Sequence, residues 1–326
     1  MYLYYSHTKY MVVQPSLTRW LTFFPILLIS LLSPFASVAA DKIHSLSVDK
    51  INVPWKHLSF KGKEFFVKLV AEVELMPQTK AELDAAFISS TQGIPISATK
   101  SGAFMINTKI SVKSVLLPKV KLQNVAWFDP ATLSAMQYVR LRTGFKDAKK
   151  TYRFTDKGVF KFTQQSIDKK EALQVPEKWS GVKEKFYSYV PAKIGCSNIT
   201  VPIPILYFIS ASKISDFDKT VTICVFNKKE VIYLDIQKES VESIQLDHTE
   251  IKGDQLSQRD TSIPVHVLSL KARAVNTGKA IDNFTFVGLQ GNIKIYIDPE
   301  IRIPVQLKGD YKGLGEVKLK LRQMVH

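Results

Sequence analysis

The strongest pattern in the chain is a period of two. In "GEVKLKLRQM", Val317, Leu319 and Leu321 alternate with Lys318, Lys320 and Arg322, which places an apolar row on one strand face and a basic row on the other. The same period runs through "FFVKLVAEVEL", with Phe65, Val67, Leu69, Ala71, Val73 and Leu75 in step, and through "GNIKIYID", with Ile293, Ile295 and Ile297. These segments read as half-buried antiparallel strands. Polar breaks join extended runs: "TDKG" between "TYRF" and "VFKFTQ", "NKKE" between "TVTICVF" and "VIYLDI", and "DPE" between "IKIYI" and "IRIPVQL". Each predicts a hairpin. The fold class that follows is mainly β: a curved antiparallel sheet or part-closed β-barrel with one or two short packing helices.

Two helices are expected. Asp129 is a suitable N-cap, Pro130 fits the first turn, and "ATLSAMQYVRLRT" runs without a breaker to Gly144, so a helix is predicted from Pro130 to Thr143. A shorter one should follow Pro204 in "ILYFISAS". A helix, a basic link and a hairpin then occur twice, from about Pro130 to Gln165 and from about Pro204 to Gln237. This faint repeat would make two similar halves meeting near 170–200, where the lysine-rich "KKEALQVPEKWSGVKEK" is either a boundary or a surface loop.

The first forty residues break the alternation. Lys9 and Arg19 precede the apolar "LTFFPILLISLLSPFASVAA", no acidic residue appears, and Val38 with Ala40, or Ser37 with Ala39, fill the positions that a signal peptidase reads. Pro25, Pro34 and the small-residue end favour a cleaved signal peptide over 1–40 against an uncleaved anchor. Met11 offers a second start with a more ordinary leader. No cysteine lies near the cut, so a lipoprotein tether is not expected. Residues 41–326 are therefore expected to be a soluble, periplasmic β-rich domain. A transmembrane barrel also has alternating strands, but the irregular strand spacing, the prolines in or beside strands and the ending "RQMVH" argue for the soluble form.

Without the leader the chain carries 43 Lys and Arg against 29 Asp and Glu, a net charge of +14. Export removes nucleic acid as a partner. Anionic lipid, lipopolysaccharide, acidic polymers or another envelope protein remain, beside the plainer reading that lysines solvate exposed strand faces. Cys196 and Cys224 lack redox spacing and in an oxidising compartment are expected to pair, a bridge contributing roughly 3 to 4 kcal/mol. The sequons at Asn198 and Asn283 matter only in a eukaryotic secretory pathway.

The segments "PIPILYFISASKISDFDKTVTICVFNKKEVIYLDIQ" and "GNIKIYIDPEIRIPVQLKGDYKGLGEVKLKL" resemble the exported bacterial domain-of-unknown-function 3108 family in the order of their parts. The likeness lies in the aromatic-rich helix at Leu206 to Ile209, the strand pair around Val225 to Glu230, and the closing block Ile293 to Leu321 with Asp298, Arg302, Ile303, Pro304 and Gly315. Lys63 to Gln165 is similar in outline, while the middle is bulkier and richer in lysine. The resemblance implies a periplasmic β domain and brings no catalytic chemistry.

Nothing else points to catalysis. His44, His57, His248, His266 and His326 are scattered without metal-ligand spacing, and no nucleophile elbow, zinc-protease, phosphate-loop or dinucleotide motif occurs. The sequence therefore reads as a non-enzymatic protein with neither metal nor cofactor. Arg140, four residues after Met136 and seven after Leu133, falls on an apolar face of the predicted helix, where a cation needs a partner or a route to water. It is the leading candidate for holding an anionic head group. Arg142, Trp127, Phe128, Tyr138, Tyr207 and Phe208 could line the same groove, the aromatics being assigned to core first. Two roles follow: binding an amphiphile in a curved sheet, or recruiting an envelope protein or polysaccharide with a packed interior. The space between helix and sheet discriminates them.

Overall fold

The structure, a computed structural model, describes residues 53–326 except 65–66, 115–119, 145 and 190–194. The leader, His44 and Phe65 lie outside the described residues. The first half carries β1 (His57–Glu64), β2 (Val67–Gln78), α1 (Lys80–Ala86), β3 (Ala103–Ser114), β4 (Val120–Phe128), β5 (Ala135–Thr143), β6 (Ala148–Phe154), β7 (Gly158–Gln165), α2 (Lys169–Ala172) and β8 (Gly181–Ser188). The second carries β9 (Ile199–Thr200), α3 (Pro204–Ala211), β10 (Val221–Asn227), β11 (Glu230–Lys252), β12 (Gln255–Ala274), β13 (Gln290–Asp298), β14 (Ile303–Tyr311) and β15 (Gly315–Val325).

The fifteen strands form one sheet in the order β8-β7-β6-β5-β4-β3-β2-β1-β15-β14-β13-β12-β11-β10-β9. Every neighbouring pair is antiparallel except β9 with β10. The sheet also meets itself. A bulge between Lys238 and Ser240 re-aims the long β11, and its far end pairs in parallel with β15, Thr249 opposite Gln323 and Ile251 opposite Val325. Strands β11 to β15 thereby close into a ring, while β1 to β8 continue from β15 as an open wing. This is the part-closed barrel that the alternation predicts, and the three expected hairpins are β6–β7, β10–β11 and β13–β14.

The inward face follows from register. Leu69, Ala71, Val73 and Leu75 of β2 stand opposite Val112, Ile110, Thr108 and Ile106 of β3, all buried, while Lys68 and Met76 on either side of the run are exposed. This face closes over α3, whose residues Pro204 to Ser210 are all buried. Tyr207 packs on Phe128 and Phe104, Phe208 packs on Phe217, and Trp55 Nε1 donates to Ser210 Oγ at 3.0 Å. A buried Leu, Ile or Phe contributes ~1.5–3 kcal/mol relative to exposure. The helix is thus the plug of the core, and its aromatic run is apolar on all sides because strands surround it.

The predicted helix from Pro130 to Thr143 is absent; that stretch is a tight turn followed by β5. Asp129 does cap, but it caps a turn: Oδ1 accepts from the backbone N–H groups of Ala131 and Thr132 at 2.8 and 3.0 Å, and Oδ2 accepts from Thr99 at 2.7 Å. Leu133 then takes φ 58°, which no helix continues through. Beyond it both strand faces are covered, so the run lacks the alternation of a one-sided strand. The helix that does form nearby is α1, whose Thr79 side chain and Glu82 make a reciprocal capping box.

Candidate functional site

Arg140 owes its position to strand register. Thr108 of β3 stands opposite Asn124 of β4, Asn124 opposite Arg140 of β5, and Arg140 opposite Lys150 of β6. One step along, Ala126, Tyr138, Tyr152, Lys161 and Lys185 form a second row across β4 to β8. Direct partners point to the same face, so cations and tyrosines share the inward side of the wing. Tyr138 and Tyr152 stack with centroids 5.9 Å apart, and Phe226 of β10 meets Tyr152 edge-on at 5.8 Å.

Between this face and the second half lies a cleft of about 210 Å³. Ile110, Leu122, Tyr138, Tyr152, Ile203, Phe226 and Val287 give it apolar walls, and Arg140, Lys228 and Lys312 stand in its lining with Asn124, Asn227 and Gln290. Among the described residues the lining includes no carboxylate, histidine or thiol. Tyr138 Oη donates to Asn124 Oδ1 at 3.2 Å, and Asn124 Nδ2 donates to Thr108 Oγ1 at 3.3 Å. Lys228, in the β10–β11 turn at φ 62°, donates Nζ to the Asn283 carbonyl at 2.7 Å, which fixes that rim.

Electrostatics at the cleft are one-sided. Burial lowers the proton affinity of Lys150, and Lys161, Arg140 and Arg142 lower it further. Lys161 is depressed by burial and by Lys229, Lys185 and Arg140, and Lys228 by burial and Arg140. Burial pushes the phenols of Tyr138 and Tyr152 up, the latter to about 12, with Arg140 opposing in both. Among the described residues no ion pair involves Arg140, Lys150, Lys161, Lys185 or Lys228. Like charges held together without counter-charge mark a site ready for an anion.

Of the residues expected to share a groove, Arg140 and Tyr138 line this cleft. Arg142 shares their face but is held by its Nε and Nη2, which donate to the Lys146 carbonyl at 3.1 and 2.7 Å. Trp127 lies on the opposite face against Phe87, beside a separate hollow of about 380 Å³ whose Lys149 is paired with Glu177. Tyr207, Phe208 and Phe128 are core around α3. A further hollow of about 390 Å³ beside Cys196 carries Asp156 and, among the described residues, no cation. Lys150, Lys161, Lys185 and Lys228 were not singled out by the sequence. For the first three the signal was alternation with Tyr152 in "KKTYRF" and with aromatics in "VFKF" and "KEKFY", readable only once register is known.

Cys196 and Cys224 form a disulfide, linking the segment before β9 to β10. Such a bond belongs to an oxidising, exported compartment. Among the described residues no helix is long and apolar enough to cross a membrane.

No protein-family model matches the chain, so membership of the family it resembles is not established. No curated protein matches either. Among solved structures, the chain is similar to the crystal structure of a beta-barrel-like protein of a domain of unknown function, DUF1849, from Brucella abortus, with 10% identity and a TM-score of 0.43 over 82% of this chain and 95% of that one.

Proposed function

We propose that this is a non-enzymatic, exported binding protein of the cell envelope that holds the anionic head of an amphiphile, a lipid or lipopolysaccharide, in the cleft at Arg140. One observation carries the reading: cations with no ion pair among the described residues, Arg140 among them, sit over an aromatic-walled cleft whose described lining has no acid. The leader sequence and the disulfide support export. At about 210 Å³ the cleft is smaller than pockets that swallow a whole ligand, roughly 300–1,000 Å³. Because α3 fills the space that an acyl chain would need, only the head group and its first carbons enter, and the chain stays outside.

The test is calorimetry of the purified protein with dodecyl phosphate and with dodecylphosphocholine below their micelle concentrations. The phosphate should bind and the zwitterion should not, and Arg140→Ala should weaken the phosphate by roughly tenfold or more, as loss of a charge-assisted hydrogen bond does. Equal affinity for both detergents, or an Ala variant that binds as wild type does, removes the reading.

A second role, docking of another envelope protein, is favoured by the open edge of β8, beside which Ile167, Leu173, Val175 and Val182 are exposed. A photo-crosslinker at Val182 that yields no discrete adduct in intact cells would remove it.

A further inference from the structure

The cations of the cleft do not stop at its rim. Strands β5, β6 and β7 contain no carboxylate, and the one on β8, Glu184, pairs opposite Phe162 and so alternates to the other face from Lys183 and Lys185. On the inward face Arg140, Lys150, Lys161 and Lys185 fall on four successive strands, β5 to β8. Lys161 lies over the rings of Tyr152 and Tyr187 at 5.8 and 5.9 Å, and Lys185 over Tyr187 at 5.1 Å, so aromatic faces hold these chains where acids would otherwise be needed. With strands ~4.8 Å apart, the row runs ~10 Å from Arg140 to the strand of Lys161 and ~14 Å to that of Lys185.

We infer that this row is an extended polyanion track, and that the ligand carries at least two phosphate groups, one in the cleft at Arg140 and another at Lys161 and Lys185. The inference rests on the reading of the cleft given above and deepens it. A single phosphate would be served by Arg140 and Lys228 and would leave Lys161 and Lys185 repelling each other without return. Two phosphates on a sugar, carried by a lipid or free, place the second charge where those lysines converge. Burial, and after it Lys161, Arg140 and Arg142, lowers the proton affinity of Lys150, and burial with Lys229, Lys185 and Arg140 lowers that of Lys161, as crowding of like charges on one face does.

The experiment compares four probes on the purified protein at low salt: hexose 6-phosphate, hexose 1,6-bisphosphate, vesicles with phosphatidylglycerol, and vesicles with a bisphosphorylated glycolipid. In each pair the bisphosphate should bind about tenfold tighter, equivalent to ~1.4 kcal/mol. Its affinity should fall more steeply with salt, because more charges are neutralised. An advantage with the free sugars assigns the preference to the phosphates themselves, and one confined to vesicles assigns it to a lipid-borne head group. In the Lys161→Gln/Lys185→Gln variant the ratio should collapse to about one, and a melting curve at or above that of wild type confirms that folding is intact. Equal binding of mono- and bisphosphate by wild type, or a ratio that survives in the variant, overturns the inference while leaving the cleft reading standing. Failure of all four probes to bind overturns both.

Discussion

Replacing Tyr207 by Phe should stabilise the protein. The ring is 1% exposed, with centroids 5.1 Å from Phe128 and 5.7 Å from Phe104, and these contacts survive the change. The hydroxyl is buried with no hydrogen-bond partner among the described residues. Burial, with Asp129 adding to it, holds its proton affinity well above that of an ordinary phenol. An unpaired buried hydroxyl costs about 1–3 kcal/mol, and the small void left by its removal returns part of that gain. The expected net gain is ~1 kcal/mol, or a rise in Tm of about 2–4 °C for a domain of this size. Urea unfolding should show a higher midpoint at unchanged m, and Tyr207→Ala should instead lose ~3–5 kcal/mol. A Phe variant less stable than wild type would refute the argument, because it would mean that the hydroxyl has a partner and that the plug around α3 is wetter than its packing implies.

Two further outcomes follow. Cys196 and Cys224 are 28 residues apart, so chain entropy assigns their bond about 3.6 kcal/mol; the Cys196→Ser/Cys224→Ser variant should lose that amount in urea, and a loss below ~1 kcal/mol would show the bond to be peripheral. His248 is fully buried, and its proton affinity is lowered first by burial, then by Arg259, against the pull of Glu250 and Asp298. Its folded pKa lies below the unfolded value of about 6.5, so its contribution is whole above that pH and is lost as pH falls through the window between the two. Stability should therefore drop on acidification from pH 7 to 5, and His248→Gln should flatten the drop in pH-dependent unfolding.

Much of the sheet was legible because one-sided strands advertise themselves. Val317, Leu319 and Leu321 are buried as their alternation demands, and "ILYFISAS" is a helix because a fully apolar run after Pro204 suits a plug. The stretch after Asp129 misled for a physical reason. Leu133, Met136 and Arg140 have helical spacing, yet Tyr138, Arg140 and Arg142 turn inward while Gln137, Val139 and Leu141 turn outward under a covering loop, where Gln137 Nε2 donates to the Ala86 carbonyl at 2.8 Å. A strand covered on both sides loses its period of two. Arg140 was therefore assigned to the wrong element, and its neighbours Lys150 and Lys161 could not be found without the pairing that aligns them. The capping box at Thr79 and Glu82 was present in the sequence and marks α1 plainly.

The pairing of β1 with β15 has a kinetic consequence. His57 lies opposite Val325, and β15 also joins β1 to β14 and to the returning end of β11. The wing and the ring thus share a seam that does not exist until β15 is available. Contacts of such sequence separation fold slowly, and until they form the edges of β1 and β14 are unpaired and open to association with other chains. A holding factor that masks strand edges would matter more to this protein than to one built from local hairpins.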